Sequence, residues 1–171
     1  MPQRLFNLFT TLWVGSLLTT GYMVAPTLFS LLSRTEAGEI AASLFRTQGY
    51  VSLVCGFVLL IVANRSIRNG AGVAKQAAGG SGPSMKMIRR ARWLMVAMLV
   101  CTLIGYFALQ PWMNALRLAA QAEGTDVGHS AYALRFGILH GVSSLFYLIE
   151  SLLGIWLVCL RRAPGAVAVP G

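Results

Sequence analysis

Four long stretches without formal charge decide what this chain can become. No residue is charged between Arg4 and Arg34, between Arg46 and Arg65, or between Arg92 and Arg117, and between Arg135 and Arg161 the only charge is Glu150. A helix crosses the hydrocarbon core with ~20 mostly apolar residues, and every stretch approaches or exceeds that length. In hydrocarbon a backbone must satisfy its own hydrogen bonds, which a helix does. The expectation is therefore an all-α, integral membrane four-helix bundle over residues 1–162. Its helices should cover about 6–32, 45–63, 93–109 and 136–160, with a flexible basic loop at 64–92 and a disordered tail at 163–171.

Composition agrees. Of 171 residues, 56% are apolar and 11% charged, against about 25% charged in a soluble domain. The net charge of +9 does not point to nucleic acid, because the basic residues flank apolar spans and no RNA-binding or zinc-finger spacing is present. Cys55, Cys101 and Cys159 fall in three different spans with no C-x-x-C pair, so reduced buried thiols are expected. The apolar run Leu5–Leu32 is far longer than a signal-peptide core, and Pro26 follows Ala25, so the first span reads as an uncleaved helix.

Lys and Arg set the orientation. Ten lie at the N-terminus, in the middle loop and after the last span, and four (Arg34, Arg46, Arg117, Arg135) lie on the other side with four of the five acids. The positive-inside rule places both termini in the cytoplasm of an inner-membrane, multi-pass protein. On the outer side, Ser33-Arg34-Thr35-Glu36 has the form of a capping box that starts the second helix near Arg34. Pro26 is placed to kink the first helix, and Gln110-Pro111 to break the third. An amphipathic piece, Trp112 to Glu123, would then lie on the outer surface and end at Gly124.

Each span carries small or weakly polar residues at helical spacing. In the fourth, Gly137, His140, Ser143, Ser144, Tyr147, Ser151 and Gly154 form one stripe, and Gly137-x-x-x-Gly141 adds a close-approach motif. The first offers Thr11, Gly15, Thr19, Tyr22 and Pro26, the second Gln48, Ser52, Cys55 and Gly56, the third Ala97, Cys101 and Gly105. Lipid cannot satisfy polar groups, so these stripes should face protein. Helix packing is the ordinary reading of such stripes.

The candidate intramembrane polar residues are His140, Glu150, Tyr147 and Ser144. Glu150 falls near the middle of its span, where ionisation costs several kcal/mol. By the helical plot it lies about 80° from the centre of the polar stripe. His140 is the candidate cofactor-binding residue, as a ligand to haem iron or another metal. The ordinary alternative for it is a packing histidine, and for Glu150 a neutral acid hydrogen-bonded to another helix. Met95, Met98 and Cys101 recur every three residues and suit Cu(I) or core filling. Glu123, Asp126 and His129 recur likewise outside the membrane. No dedicated metal site, nucleotide-binding loop or hydrolase motif is present in the sequence.

Three stretches carry a resemblance: Leu12-Trp13-Val14-Gly15-Ser16 continuing to Val24-Ala25-Pro26-Thr27-Leu28-Phe29, then Ala37-Gly38-Glu39-Ile40-Ala41 with Leu44-Phe45, then Arg135-Phe136 with Leu139-His140-Gly141-Val142-Ser143. In this order they resemble the bacterial membrane family of domain of unknown function 4149, which is similar to the transmembrane protein 205 group. The resemblance implies a four-helix integral membrane protein and brings no established reaction. It singles out Trp13, Gly15, Pro26, Phe29, Gly38, His140 and Gly141, and gives Glu150 no place in its pattern. Three functions compete. The first is a non-enzymatic bundle assisting a membrane process through a partner or lipid. The second is a carrier of a small solute, proton or metal ion, and the third a haem- or metal-dependent oxidoreductase. No cofactor is expected under the first. Membrane lipids, a second copy or other membrane proteins are the partners expected, and nucleic acid is not.

Overall fold

The computed structural model describes residues 2–73 and 85–161, and among these every long element is helical. Four helical rods form an up-and-down bundle. The first comprises α1 (Pro2–Thr19), a π turn (Thr20–Val24) and α2 (Ala25–Leu31). The second is α3 (Arg34–Val73). The third comprises α4 (Met85–Leu103), a π turn (Ile104–Leu109) and α5 (Gln110–Ala122). A short 3-10 segment, Val127–His129, leads to the fourth, α6 (Ala133–Arg161). The rods contain candidate spans of 28, 35, 35 and 28 residues. Each exceeds the length needed to cross the hydrocarbon, and the chain is a multi-pass membrane protein.

The two π turns explain how prolines sit inside continuous rods. A proline lacks the N–H for an i→i−4 bond, and its ring crowds the preceding turn. Before Pro26 the helix widens, so that the Ala25 N–H reaches the Thr20 carbonyl. Before Pro111 the Gln110 N–H reaches the Gly105 carbonyl in the same way. Each proline then occupies the first turn of the next α segment, where it is tolerated. The expected break at Gln110-Pro111 therefore does not occur. Nor does the segment from Trp112 lie on a surface: α5 extends the third rod and packs on α6, with Met113 and Ala120 buried.

The basic loop is also shorter than expected. Helix α3 runs ten residues past Ala63, and α4 begins eight residues before Trp93. The polar residues from Asn64 to Arg68 mark the exit from hydrocarbon, and arginine is a good helix former, so the helix continues into water. The remainder of that loop, 74–84, and the tail 163–171 lie outside the described residues.

At the opposite end the capping box forms as read. Ser33 Oγ donates to Glu36 Oε2 at 2.7 Å and accepts from the Glu36 N–H, while the Ser33 N–H reaches the same carboxylate at 3.3 Å. Ser33→Ala should cost about 1 kcal/mol, seen as a lower unfolding midpoint in detergent; an unchanged midpoint would show that tertiary contacts alone hold the start of α3. Gly124, at φ +73°, closes α5, with Thr125 N–H bonding back to the Ala120 carbonyl. Tyr132 donates to Glu123 Oε1 at 3.0 Å, and that bond to a carboxylate pushes the phenol above its ordinary range.

Packing divides the bundle into two halves. Toward the basic end, Phe6, Trp13, Val14, Leu59, Met95, Met98 and Leu157 make one dry core drawn from all four rods. Toward the other end the rods part. The outer segment α2 packs on α3 and not closely on α6, which leaves a gap between the first and fourth rods.

The small-residue stripes do not all face this packing. In the first rod Thr11, Gly15, Thr19 and Tyr22 are exposed, while Phe6, Thr10, Trp13, Val14 and Leu17 face inward. Large apolar side chains fill an interhelical core better than small ones, and that decides which face turns in. In the fourth rod only the inner part of the stripe is covered: Ser151 and Gly154 are buried, but Gly137, His140, Gly141 and Ser144 are exposed. Nothing lies within 4 Å of a side chain added at Gly137 or Gly141, so these two mediate no close approach inside the chain. The second rod behaves as read, with Gln48, Ser52, Cys55 and Gly56 buried.

Candidate functional site

Glu150 meets another helix, through a hydrogen bond with Thr102. It is 4% exposed and faces the middle of the bundle. Three rods place it at mid-depth. Trp13 is nine residues beyond Arg4, Thr102 ten beyond Arg92, and Glu150 itself eleven before Arg161. At ~1.5 Å per residue this is ~15 Å, half the hydrocarbon thickness of ~30 Å.

All four rods contribute to its surroundings. Thr102 of α4 donates its hydroxyl to Glu150 Oε1 at 2.8 Å, and the Met98 carbonyl at 3.1 Å is an alternative acceptor for the same proton. Ser52 of α3 also faces the carboxyl, and accepts from Gln48 Nε2 at 3.4 Å. From α1 the Trp13 indole approaches the carboxyl without completing a good hydrogen bond. Its Nε1 is the one buried side-chain polar atom among the described residues that lacks a partner. The only ion pair among the described residues is the surface contact of His129 with Asp126 at 3.7 Å, so Glu150 has no cationic neighbour there.

The carboxyl forms the floor of a cavity of about 560 Å³, within the range that takes a small ligand. Above Glu150 the wall carries Gln48 and Phe45 from α3, Tyr106 and Gln110 from the third rod, and Tyr147 and Ser143 from α6. Pro26, Phe29, Met113 and His140 stand farther out. Tyr147 donates its hydroxyl to the Leu17 carbonyl at 2.6 Å, so what it offers the cavity is mainly its ring. That ring lies 5.3 Å from Phe45 and 6.3 Å from Tyr22, centroid to centroid. Gly21 makes this possible: a methyl group there would overlap the Tyr147 ring.

His140 is at the rim and exposed, with its ring stacked on Phe136 at 6.1 Å. It lies ten residues, ~15 Å, from Glu150 on a straight helix, and the two do not meet. Ser144 is exposed beside it and donates to the His140 carbonyl at 2.9 Å. Met95 and Met98 are enclosed in the dry core, where they fill space, whereas Cys101 reaches the cavity wall. Outside the spans Glu123 is engaged by Tyr132 while Asp126 faces His129. No three His, Cys, Asp or Glu residues converge on one point among the described residues.

A family model described as Domain of unknown function (DUF4149) matches residues 8–122. The chain belongs to that family. The DUF4149 match runs from Leu8 within α1 to the end of α5 and stops before α6, so His140 and Glu150 lie beyond it. No curated protein and no solved structure matches the chain. Of the motif residues, Trp13 stands beside Glu150, and Pro26, Phe29 and His140 line the cavity. Gly38 serves elsewhere, its carbonyl accepting from Arg117 at 3.4 Å. Gly15 and Gly141 are exposed.

Sequence reasoning did not single out Thr102, Tyr106, Gln110 or Met113. One signal was available for Tyr106. Gly21-Tyr22 precedes Pro26 and Gly105-Tyr106 precedes Pro111 at spacings that differ by one residue, and both Gly-Tyr pairs line the cavity at a π turn.

Proposed function

We propose that this DUF4149 protein is a membrane-embedded binding protein. It takes a small amphipathic molecule from the bilayer, seats the polar end at Glu150 and lays the apolar part along the gap between the first and fourth rods. One observation carries the reading: a buried acid closes the floor of a cavity built by all four rods, and a dry core blocks the way onward to the basic end. A cavity closed at its inner end by a packed core suits holding and presenting a ligand better than conducting one. This gives the partner-or-lipid reading a physical form. With both termini cytoplasmic, as the distribution of ten against four basic residues supports, the cavity faces the outer leaflet of the inner membrane.

A carrier is the second reading, favoured by the two π turns in the cavity wall, since such turns are frequent at functional sites. It requires the Met95–Leu157 core to open.

The test uses a neutral photoreactive probe, a diazirine-bearing alkyl alcohol, on the purified protein in nanodiscs. Label should concentrate on cavity residues such as Gln48, Tyr106 and Met113. It should fall severalfold in Ser143→Trp, which fills the cavity, with circular dichroism unchanged. Label spread evenly over lipid-facing positions such as Leu145 and Ile155 would overturn the proposal.

A further inference from the structure

The cavity chemistry specifies more than an amphipathic molecule. We infer that the head group it selects is an organic cation, an alkylated or protonated amine, and this deepens the binding reading on which it rests.

The argument begins with charge. Glu150 is the only formally charged residue in the last span, and among the described residues no Lys, Arg or His comes within ion-pair distance of it. Its neighbours Thr102, Ser52 and Trp13 are neutral donors. Thr102 and Ser52 hydrogen-bond the carboxyl without neutralising it, and the Trp13 indole only approaches it. A carboxylate out of water is stable only when it is paired, and the cavity is the open side from which a partner can come. Of the basic side chains nearer the rim, Arg46 is exposed and lies within electrostatic range of Tyr106, while Arg117 and His140 are engaged elsewhere. Arg117 donates to the Gly38 carbonyl and lies 5.8 Å from the Phe136 ring, and His140 stacks on that same ring.

The walls make the second point. Tyr147, Phe45 and Tyr22 cluster at 5.3 and 6.3 Å on one side of the cavity, and Tyr106 stands on another wall against Tyr50 at 5.7 Å. Aromatic rings attract a cation through their quadrupole, more strongly where water is excluded. A carboxyl below and rings around it form a site for a positive head with a hydrophobic body. An anionic head would meet Glu150 as a like charge, and a neutral head would gain only hydrogen bonds. If the carboxyl is protonated when the cation arrives, its proton leaves to water and the carboxylate stays paired, so charge balances.

Three diazirine probes with one alkyl chain and a trimethylammonium, hydroxyl or sulfate head test this on the full-length protein in nanodiscs. The cation should label the cavity at about tenfold lower concentration than the alcohol. That advantage should vanish in Glu150→Gln, persist in Glu150→Asp and persist in His140→Ala. Continued labelling of Glu150→Gln by the alcohol shows that its cavity is intact. If the alcohol labels the cavity as well as the cation, or the sulfate labels it best, the cation inference falls and the binding reading stands. If no probe labels the cavity, both fall.

Discussion

Replacing Trp13 with alanine should lower the unfolding free energy by about 3–5 kcal/mol, the range for truncating a large buried aromatic residue. Trp13 is 0% exposed and is the largest fully enclosed side chain in the structure. It stands where the dry core meets the polar floor, among residues of all four rods. Truncation would remove contact with each rod and open a void next to Glu150. In a bilayer the helices are as apolar as the lipid around them, so close packing replaces the hydrophobic effect as the force that joins them. Trp13→Phe should recover most of the loss. The indole N–H makes no well-formed hydrogen bond, and deleting an unsatisfied donor costs little. Equilibrium unfolding in mixed detergent, followed by circular dichroism, measures both. If Trp13→Ala unfolds within 1 kcal/mol of the parent, the basic half of the bundle is not the close-packed plug described above.

The membrane fold was legible because charge is excluded from hydrocarbon in long runs. The gaps from Arg4 to Arg34 and from Arg92 to Arg117 bound their spans with no need for tertiary information. Helix ends in water were less legible. Polarity from Asn64 to Arg68 marks the membrane boundary, yet the hydrogen-bond ladder of α3 continues to Val73. Pro111 misled for a related reason: like Pro26 it forbids a regular α-turn, and a π turn one step earlier removes the conflict without ending the rod. The site was half legible. Glu150, Tyr147, His140 and Ser144 are identifiable as polar residues in an apolar span. Which of them meet depends on rotation about the helix axis, which decides what an acid about 80° from the centre of the stripe will face. That rotation is fixed by large partners such as Trp13 and Leu157 on facing rods, which the composition of a single helix does not reveal.

Glu150→Leu should leave the bundle as stable as the parent, or up to about 2 kcal/mol more stable, while abolishing the preference for a cationic ligand. The reason lies in what the substitution leaves behind. Thr102 retains the Met98 carbonyl at 3.1 Å as an acceptor, and Ser52 Oγ still accepts from Gln48 Nε2 at 3.4 Å, so each hydroxyl keeps one partner. Leucine removes the cost of holding an acid out of water and adds apolar contact with the core below. Glu150→Lys is the contrasting case. It leaves a buried ammonium with no carboxylate near it among the described residues, a change that costs several kcal/mol. The pair should therefore separate in opposite directions in detergent unfolding, with only the leucine variant purifying as a monodisperse protein. An acid at the centre of a bundle that is equally stable without it is not needed by the fold, as the proposed binding role requires. If Glu150→Leu instead loses more than about 2 kcal/mol, a loss typical of a structural core position, the hydrogen bonds of Glu150 serve the fold, and the cavity must recognise its ligand by other groups.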